Sequence, residues 1–375
     1  MYPKQFIDAL SRSGINFFTG VPDSLLKDFL AYIEQEVPHE NHITAANEGG
    51  AIGIATGYHL ATGKVPAVYM QNSGLGNAAN PLTSLADKEV YSIPMVLIIG
   101  WRGEPGIKDE PQHIKQGRIT TELLKTLGIP YTVMKCDMSA QKIAFEIARI
   151  AKRARKENRP TALVISNGTF ETYKALPHPN EHSLTRENAI EIIIDSLGKK
   201  DIVVSTTGKI SRELYEVRKK RGNEGQSDFL TVGSMGHAAQ IALGIAHQKK
   251  NRQVYCLDGD GATIMHMGGL STIGWIAPNN FKHIVLNNYA YESVGGQPSA
   301  ARVTDLAATA LANNYTYAAR VKDRSKLIAE LKKLKTKKGP AFLEIIVNLE
   351  SRKDLGRPEE SPVENKKKFM RFLGG

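Results

Sequence analysis

The sequence predicts an α/β protein made of two doubly wound parallel-sheet domains. Three observations carry that expectation. Short apolar runs alternate with amphipathic helical stretches along the chain. The runs stop abruptly at glycine and polar residues, as buried parallel strands do where they reach a ligand crevice. The order strand, helix, strand closes both halves.

Length and composition set the bounds. The 375 residues exceed one typical domain and suit two of about 180 residues each. Hydrophobic residues make up 41% and charged residues 23%, the balance of a globular protein, and no apolar run approaches the ~18 residues that span a bilayer. Met1-Tyr2-Pro3-Lys4-Gln5 lacks the basic-then-apolar pattern of a signal peptide. Cys136 and Cys256 are isolated on apolar, strand-like segments and are expected buried and reduced. A cytoplasmic protein is expected. The net charge of +11 does not imply nucleic acid, because the basic residues form no aromatic-interleaved patch. Much of the excess sits at Lys366–Lys368 and at Lys326–Lys338, an amphipathic helix whose lysines line a solvated face. An anionic substrate and cofactor account for the surplus more simply.

In the first half, Lys4–Ser13 carries Phe6, Ile7 and Leu10 at helical spacing, Gly14 stops the helix, and Ile15–Thr19 is the first strand. Gly20-Val21-Pro22-Asp23 closes that strand, and Ser24–Val37 is an amphipathic helix. Asp23 thus stands at a strand end, placed for catalysis or for capping the helix. Ile43–Glu48 leads into a helix of small residues, Gly49–Leu60, with glycine also at positions 50, 53 and 57. Each glycine costs a helix roughly 1 kcal/mol relative to alanine, so something is expected to pack close: the sheet, a twin helix in a dimer, or a ligand. Glu48 in the first turn is also favoured by the helix dipole. A strand at Pro66–Met70 exits through the polar, glycine-rich Gln71-Asn72-Ser73-Gly74-Leu75-Gly76-Asn77. A strand at Pro94–Gly100 exits into a long polar loop carrying Arg102, Lys108, His113, Lys115 and Arg118, cations and an imidazole on a segment of the kind that is usually functional or mobile. Tyr131–Val133 (strand), Ala140–Arg155 (helix) and Arg159–Ile165 (buried strand) complete the half.

Glu171–Ser183, with Pro177 and Pro179, is a linker by composition. The expected domains are residues 1–172 and 185–375, joined by 173–184. The second half opens with a helix at Arg186–Leu197 and a strand at Asp201–Ser205, whose exit Thr206-Thr207-Gly208-Lys209 offers backbone and hydroxyl donors to phosphate. Thr231-Val232-Gly233-Ser234-Met235-Gly236 precedes another small-residue helix, Ala238–Ala246. Tyr255-Cys256-Leu257 ends in Asp258-Gly259-Asp260-Gly261, and His283-Ile284-Val285-Leu286 ends in Asn287-Asn288. Two neighbouring strand ends would therefore present a carboxylate and a carboxamide oxygen to one point, hard ligands suited to Mg²⁺ or Ca²⁺ touching phosphate. Tyr315–Tyr317, Ser325–Lys335 and Gly339–Ile346 then repeat the order that ends the first half.

Gly-Asp-Gly followed about a helix and a strand later by Asn-Asn resembles the thiamine diphosphate (ThDP) enzymes. The resemblance covers nearly the whole chain, as a pyrimidine-binding half and a diphosphate-binding half, and implies the ThDP-binding fold with no middle domain. By motif it assigns Mg²⁺ to Asp260, Asn288 and the carbonyl of Ala290. Asp260 to Asn288 is 28 positions (288 − 260), one longer than in many members of the family, so counting from Asp260 favours Asn287, whereas aligning the apolar strand and the Asn pair selects Asn288. The resemblance implies that Glu48 exchanges a proton with the pyrimidine ring and that Asn72 lies beside the reacting carbons. It implies that Thr207, Gly208, Lys209, Gly259, Gly261 and Ala262 cradle the diphosphate. Gly233, Ser234 and Met235 would bend the cofactor, the Gly233 carbonyl accepting from the aminopyrimidine and Met235 wedged beneath it. Asp23 and His113 are expected at the reacting substrate. Arg118, Arg352 and Arg357 are expected at its anionic group, the last two arriving on a C-terminal segment that closes over the crevice.

Asn287–Gln297 and Ser351–Pro358 are the most specific matches. They point to the compact phosphonopyruvate decarboxylases, with sulfopyruvate decarboxylases as the near alternative. A 2-keto acid carboligase is disfavoured by the missing middle domain. A non-catalytic nucleotide-binding protein is disfavoured because Gly20-Val21-Pro22-Asp23 is not a Gly-x-Gly-x-x-Gly turn. The implied reaction is ThDP- and Mg²⁺-dependent conversion of 3-phosphonopyruvate to phosphonoacetaldehyde and CO₂, a step of phosphonate biosynthesis. It implies a homodimer or higher oligomer in which Glu48 of one chain and Asp260 of another share a site, with no nucleic-acid or membrane partner.

Overall fold

The structure, a computed structural model, describes residues 1–174, 182–223 and 225–374. It separates into two compact units, Met1–Pro177 and His178–Gly375. Most of the expected linker, including Pro177 and Pro179, lies outside the described residues.

The first unit runs α1 (Pro3–Arg12), β1 (Phe18–Gly20), α2 (Lys27–Glu36), β2 (His42–Thr44), α3 (Glu48–Thr62), β3 (Ala67–Gln71), α4 (Leu75–Ser84), β4 (Met95–Gly100), α5 (Pro111–Thr126), β5 (Tyr131–Met134), α6 (Ala140–Glu157) and β6 (Pro160–Ile165). All six strands pair in parallel in the order β2-β1-β3-β4-β6-β5. Side chains alternate between the faces of a strand, and both faces of this sheet are covered. Val96 and Ile98 of β4 enter one core with Phe6, Phe29 and Ile147, while Met95, Leu97 and Ile99 enter the other with Ile52 and Leu124. That is why the central strands read as unbroken apolar runs.

The second unit runs α7 (Arg186–Ser196), β7 (Ile202–Ser205), α8 (Lys209–Lys220), β8 (Asp228–Leu230), α9 (Ala238–Gln248), β9 (Val254–Gly259), α10 (Asp260–Met265), α11 (Gly269–Ile276), β10 (Phe281–Asn287), β11 (Ala290–Tyr291), β12 (Gln297–Pro298), α12 (Leu306–Ala312), β13 (Tyr317–Val321), α13 (Arg324–Thr336), β14 (Ala341–Ile346) and α14 (Pro362–Leu373). Its parallel sheet has the order β8-β7-β9-β10-β14-β13, and β11 and β12 form a separate antiparallel pair. Numbered by first appearance within its own sheet, each reads 2-1-3-4-6-5. The repeat expected from the matched chain endings therefore extends through the whole topology. In such sheets the order reverses beside the first strand, and ligands bind outside the carboxyl ends of the strands there.

Several expectations are corrected. The first strand begins at Phe18 rather than Ile15, although Ile15 and Phe17 are already buried. The loop after β4 is shorter than expected: Pro111, fixed in φ for a first helical position, starts α5, so His113, Lys115 and Arg118 stand on a helix. Cys256 is buried, but Cys136 is exposed because it follows the end of β5. The close packing expected along the glycines of α3 occurs at one end only. A Cβ on Gly49 would lie 3.2 Å from the Asn77 carbonyl, whereas Gly53 and Gly57 have nothing within 4 Å in this chain. The C-terminal segment is hydrogen-bonded to α8. Arg212 donates to the Leu355 and Gly356 carbonyls, Glu216 accepts from the Gly356 N–H at 2.6 Å, and α14 follows with a Ser361–Glu364 capping box. Among the described residues no helix is long and apolar enough to cross a membrane.

Candidate active site

In the first unit the expected residues gather at the carboxyl ends of β1, β3 and β4. Glu48 is the first residue of α3, which Asn47 caps by accepting from the Gly50 N–H at 2.8 Å. Its carboxylate is buried and accepts from Asn77 Nδ2 at 2.8 Å. Gly74 lies so close that a Cβ there would stand 2.5 Å from Glu48 Oε1. Asp23 follows β1 with a side chain wholly out of solvent. Gln71, the last residue of β3, donates to its Oδ1 at 2.6 Å, while Oδ2 has no hydrogen-bond partner. Burial pushes the Asp23 carboxyl up, against the Gln71 hydrogen bond and the positive field of Arg102. A Cβ on Gly100 would lie 2.0 Å from that Oδ2, so the β4 exit must be glycine for Asp23 to fit.

Arg102 is not a loose cation. It grips Asp109 through two hydrogen bonds, 2.8 and 2.5 Å, and donates to Ser24 Oγ at 2.7 Å, which ties the loop after β4 to the exit of β1. Although burial opposes it, this grip together with the Glu110 and Gly103 N–H groups holds Asp109 well below the usual carboxylate range. Asn72 is committed in the same way: its amide donates to the Arg102 carbonyl and to Thr120 Oγ1, both at 2.8 Å, and accepts from the Arg102 N–H at 3.2 Å. It shapes the loop with every polar atom engaged. His113 is buried, and burial, then the nearby Arg102, lowers it to about 4, so it is a neutral imidazole. Its Nδ1 has no hydrogen-bond partner, as is true of the buried Gln112 Oε1 and Glu104 Oε2. Each such orphan costs about 1–3 kcal/mol, and their concentration beside one set of strand ends marks a place built for a polar ligand. Arg118 is exposed on α5.

In the second unit Asp260 opens α10 and is 4% exposed. Burial raises its carboxyl to about 6, opposed by a hydrogen bond donated by Ser299 Oγ. Gly261 lets the helix start press on β11, since a Cβ there would meet the Tyr291 ring at 2.6 Å and Met235 Cε at 3.4 Å. Gly259 and the buried Ala262 flank this corner. The two asparagines are distinguished by their partners. Asn287 is fully buried, donates from Nδ2 to Glu344 Oε1 at 2.7 Å and accepts at Oδ1 from the Tyr289 N–H at 2.8 Å. Asn288 is partly exposed, and its Oδ1 accepts only a 3.2 Å contact from the Ala290 N–H. Asn288 therefore has an oxygen to offer, and Asn287 is occupied in holding the turn.

The stretch expected to face phosphate converges on the same corner. Gly208 and Gly233 take positive φ, 97° and 74°, as does Ser234 at 50°. Thr207 Oγ1 accepts from the Gly233 N–H at 2.9 Å, joining the exits of β7 and β8. Lys209 Nζ donates to Glu292 Oε1 and to Ser351 Oγ, both at 2.8 Å. Glu292 also accepts from Asn288 Nδ2 at 2.9 Å and from Arg186. Although it is mostly buried, Arg186 and Lys209 keep it ionised. Arg352 is engaged with Glu187, Glu216 and Asp354. Three carboxylates neutralise it, so its guanidinium is engaged within the chain. Arg357 is exposed. Cys256, Asp258 and His283 lie close together in the core. His283 Nδ1 faces Tyr315 OH at 3.2 Å and Asp258 Oδ1 accepts from the Gly259 N–H at 2.9 Å, and the cluster reads as core polar pairing beneath the GDG turn.

Gln71, Asn77, Glu292 and Ser299 were missed as site residues. The first three lie inside stretches whose pattern was legible, but their roles depend on partners tens of residues away.

Residues 2–124 match the family described as thiamine pyrophosphate enzyme, N-terminal TPP binding domain, and residues 206–345 the corresponding C-terminal TPP binding domain. The phosphonopyruvate decarboxylase of Streptomyces viridochromogenes is 34% identical over 98% of this chain and 94% of its own. That of Streptomyces hygroscopicus is 33% identical over 97% and 92%. The sulfopyruvate decarboxylase of Methanosarcina acetivorans is 28% identical over 99% and 97%.

Proposed function

The chain belongs to the thiamine pyrophosphate enzymes, and from that premise we propose that it decarboxylates 3-phosphonopyruvate to phosphonoacetaldehyde and CO₂. The observation that carries the substrate is the near full-length identity to phosphonopyruvate decarboxylases, 34% and 33%, against 28% for the sulfopyruvate enzyme.

The residues fit the cofactor. Asp260, the Asn288 carboxamide and the Ala290 carbonyl form a set of hard oxygens suited to Mg²⁺, and Asp260, raised by burial, gains most from a cation. Thr207, Gly208 and Lys209 would face the diphosphate. Gly233, Ser234 and Met235, with Met235 over Gly261, would support the bent ring system. When bound, ThDP supplies a nucleophilic carbon and an electron sink for loss of CO₂. Glu48, buried and held by Asn77, would exchange the proton at the pyrimidine nitrogen. Asp23 and the neutral His113 offer an unpartnered oxygen and nitrogen, Asp23 Oδ2 and His113 Nδ1, to the reacting substrate. Arg118 and Arg357, both exposed, are proposed as cations for the phosphonate. The working form we propose is a homodimer or higher oligomer.

The test is CO₂ release from phosphonopyruvate, sulfopyruvate and pyruvate with added Mg²⁺ and ThDP. Phosphonopyruvate should give the highest kcat/KM. Preference for sulfopyruvate would move the protein to the neighbouring activity, and no CO₂ from any of the three would overturn the decarboxylase reading.

A further inference from the structure

Glu344 lies in the middle of β14, wholly buried in a strand that is otherwise apolar. A carboxylate in the interior of a sheet is costly unless both of its oxygens are used, and here both are. Arg320, its register neighbour on β13, donates from Nε to Glu344 Oε2 at 2.6 Å and is itself anchored on Asp305 at 3.0 Å. The other oxygen, Oε1, receives Asn287 Nδ2 at 2.7 Å. Asn287 is the last residue of β10, and its own oxygen accepts from the Tyr289 N–H two residues on. Tyr289 is thereby held at φ 60°, a left-handed conformation uncommon for a residue with a bulky side chain. That bend turns Asn288 and Ala290 away from the line of the strand. It also lets the Tyr289 carbonyl accept from the Ser299 N–H at 3.0 Å, and Ser299 Oγ donates to Asp260. An unbroken series of hydrogen bonds thus runs from Arg320 through Glu344 and Asn287 to the backbone that carries Asn288 and Ala290, and on to Asp260.

We propose that Glu344 is a positioning residue for the metal: it fixes the Asn287 carboxamide and, through it, the left-handed bend that presents Asn288 and Ala290. This rests on the Mg²⁺–ThDP reading. Supporting partners of metal ligands typically carry 10–100-fold in metal affinity. Glu344→Gln keeps an acceptor for Asn287 while half-exposed Arg320 can turn to solvent, and Glu344→Leu removes the acceptor.

The measurement is calorimetric titration of Mg²⁺ into protein with saturating ThDP, which reads affinity without turnover. Glu344→Leu and Asn287→Ala should each weaken Mg²⁺ about 10–100-fold. The double variant should be no weaker than the worse single one, because both cut the same link, and Glu344→Gln should stay within about threefold. Unchanged affinity in a folded Glu344→Leu, additive losses in the double variant, or a Glu344→Gln as impaired as the leucine variant would overturn the proposal. If Glu344→Leu does not fold, Asn287→Ala against Glu344→Gln decides it in the same way. Wild-type protein with no Mg²⁺-dependent ThDP binding would overturn the cofactor reading itself, a result distinct from normal binding that the variants leave unaltered.

Discussion

Gly74→Ala is a one-methyl test of how Glu48 is held. Gly74 sits at φ −71° and ψ −15°, a conformation alanine adopts freely, so the backbone does not resist the change. The side chain does. The new Cβ would fall 2.5, 2.6 and 2.7 Å from Oε1, Cγ and Cδ of Glu48, where ordinary contacts begin at 3.4 Å. The carboxylate must therefore retreat by about 0.9 Å (3.4 − 2.5), which breaks its hydrogen bond from Asn77. Loss of a bond to a charged group costs about 1.5–3 kcal/mol and the alanine returns about 0.4–1 kcal/mol, a net destabilisation of roughly 1–2 kcal/mol that leaves the protein folded. A catalytic group misplaced by about 1 Å loses on the order of 10²-fold in rate, and complete loss of proton transfer approaches 10⁴. Gly76→Ala is the control, two residues on and inside α4, with nothing within 4 Å; it should keep wild-type turnover and gain about 0.5–1 kcal/mol. The assays are steady-state decarboxylation, urea unfolding and ThDP titration. A folded Gly74→Ala within threefold of wild-type turnover would refute the reasoning.

Four further outcomes are expected. Asp260→Asn should lose Mg²⁺-dependent ThDP binding yet stabilise the metal-free protein. Burial raises the folded pKa from 3.8 to about 6, so the folded state binds the proton more tightly and the carboxylate costs stability as pH rises through that window. The gain, on the order of 3 kcal/mol near neutrality, should vanish below about pH 4, and urea midpoints that do not differ near neutrality would count against it. His113, lowered to about 4, should contribute no inflection to the rate profile between about pH 5 and 9; a limb near the ordinary imidazole value that disappears in His113→Asn would contradict its neutral state. Arg352→Ala should impair phosphonopyruvate and pyruvate turnover equally, since its partners are Glu187, Glu216 and Asp354, whereas Arg357→Ala should impair phosphonopyruvate far more. An equal loss in Arg357→Ala would leave the phosphonate contact unassigned. Mixing inactive Glu48→Gln with inactive Asp260→Ala should restore some activity, and subunit exchange without recovery would argue against a site shared between chains.

The legible parts of the sequence were those governed by local pattern. Central strands such as β4 show uninterrupted apolar runs because both faces are covered, and their glycine or polar exits are sharp. The GDG and Asn-Asn turns could be found for the same reason. Helix α4 was not read because Gly76, Asn77, Asn80 and Pro81 have poor helix propensity; burial of Leu75, Ala78 and Leu82 overrides it. Helix α14 carried a readable Ser-Pro-Val-Glu start that its lysines obscured. The ion pairs of Arg352 were not legible, because Glu187 and Glu216 lie 165 and 136 positions away. The different partners of Asn287 and Asn288 depend on Glu344, a strand residue that no spacing rule connects to them.

The shared 2-1-3-4-6-5 order has an evolutionary consequence. Each sheet draws all its strands from one side of the join, so one ancestral coding unit, doubled, accounts for the scaffold without any new topology. Divergence then needed only the short exits to change. The same independence makes the gene divisible: a stop and a fresh start codon at the join would part no strand from its sheet, and the two products could be inherited, expressed and tuned as separate polypeptides.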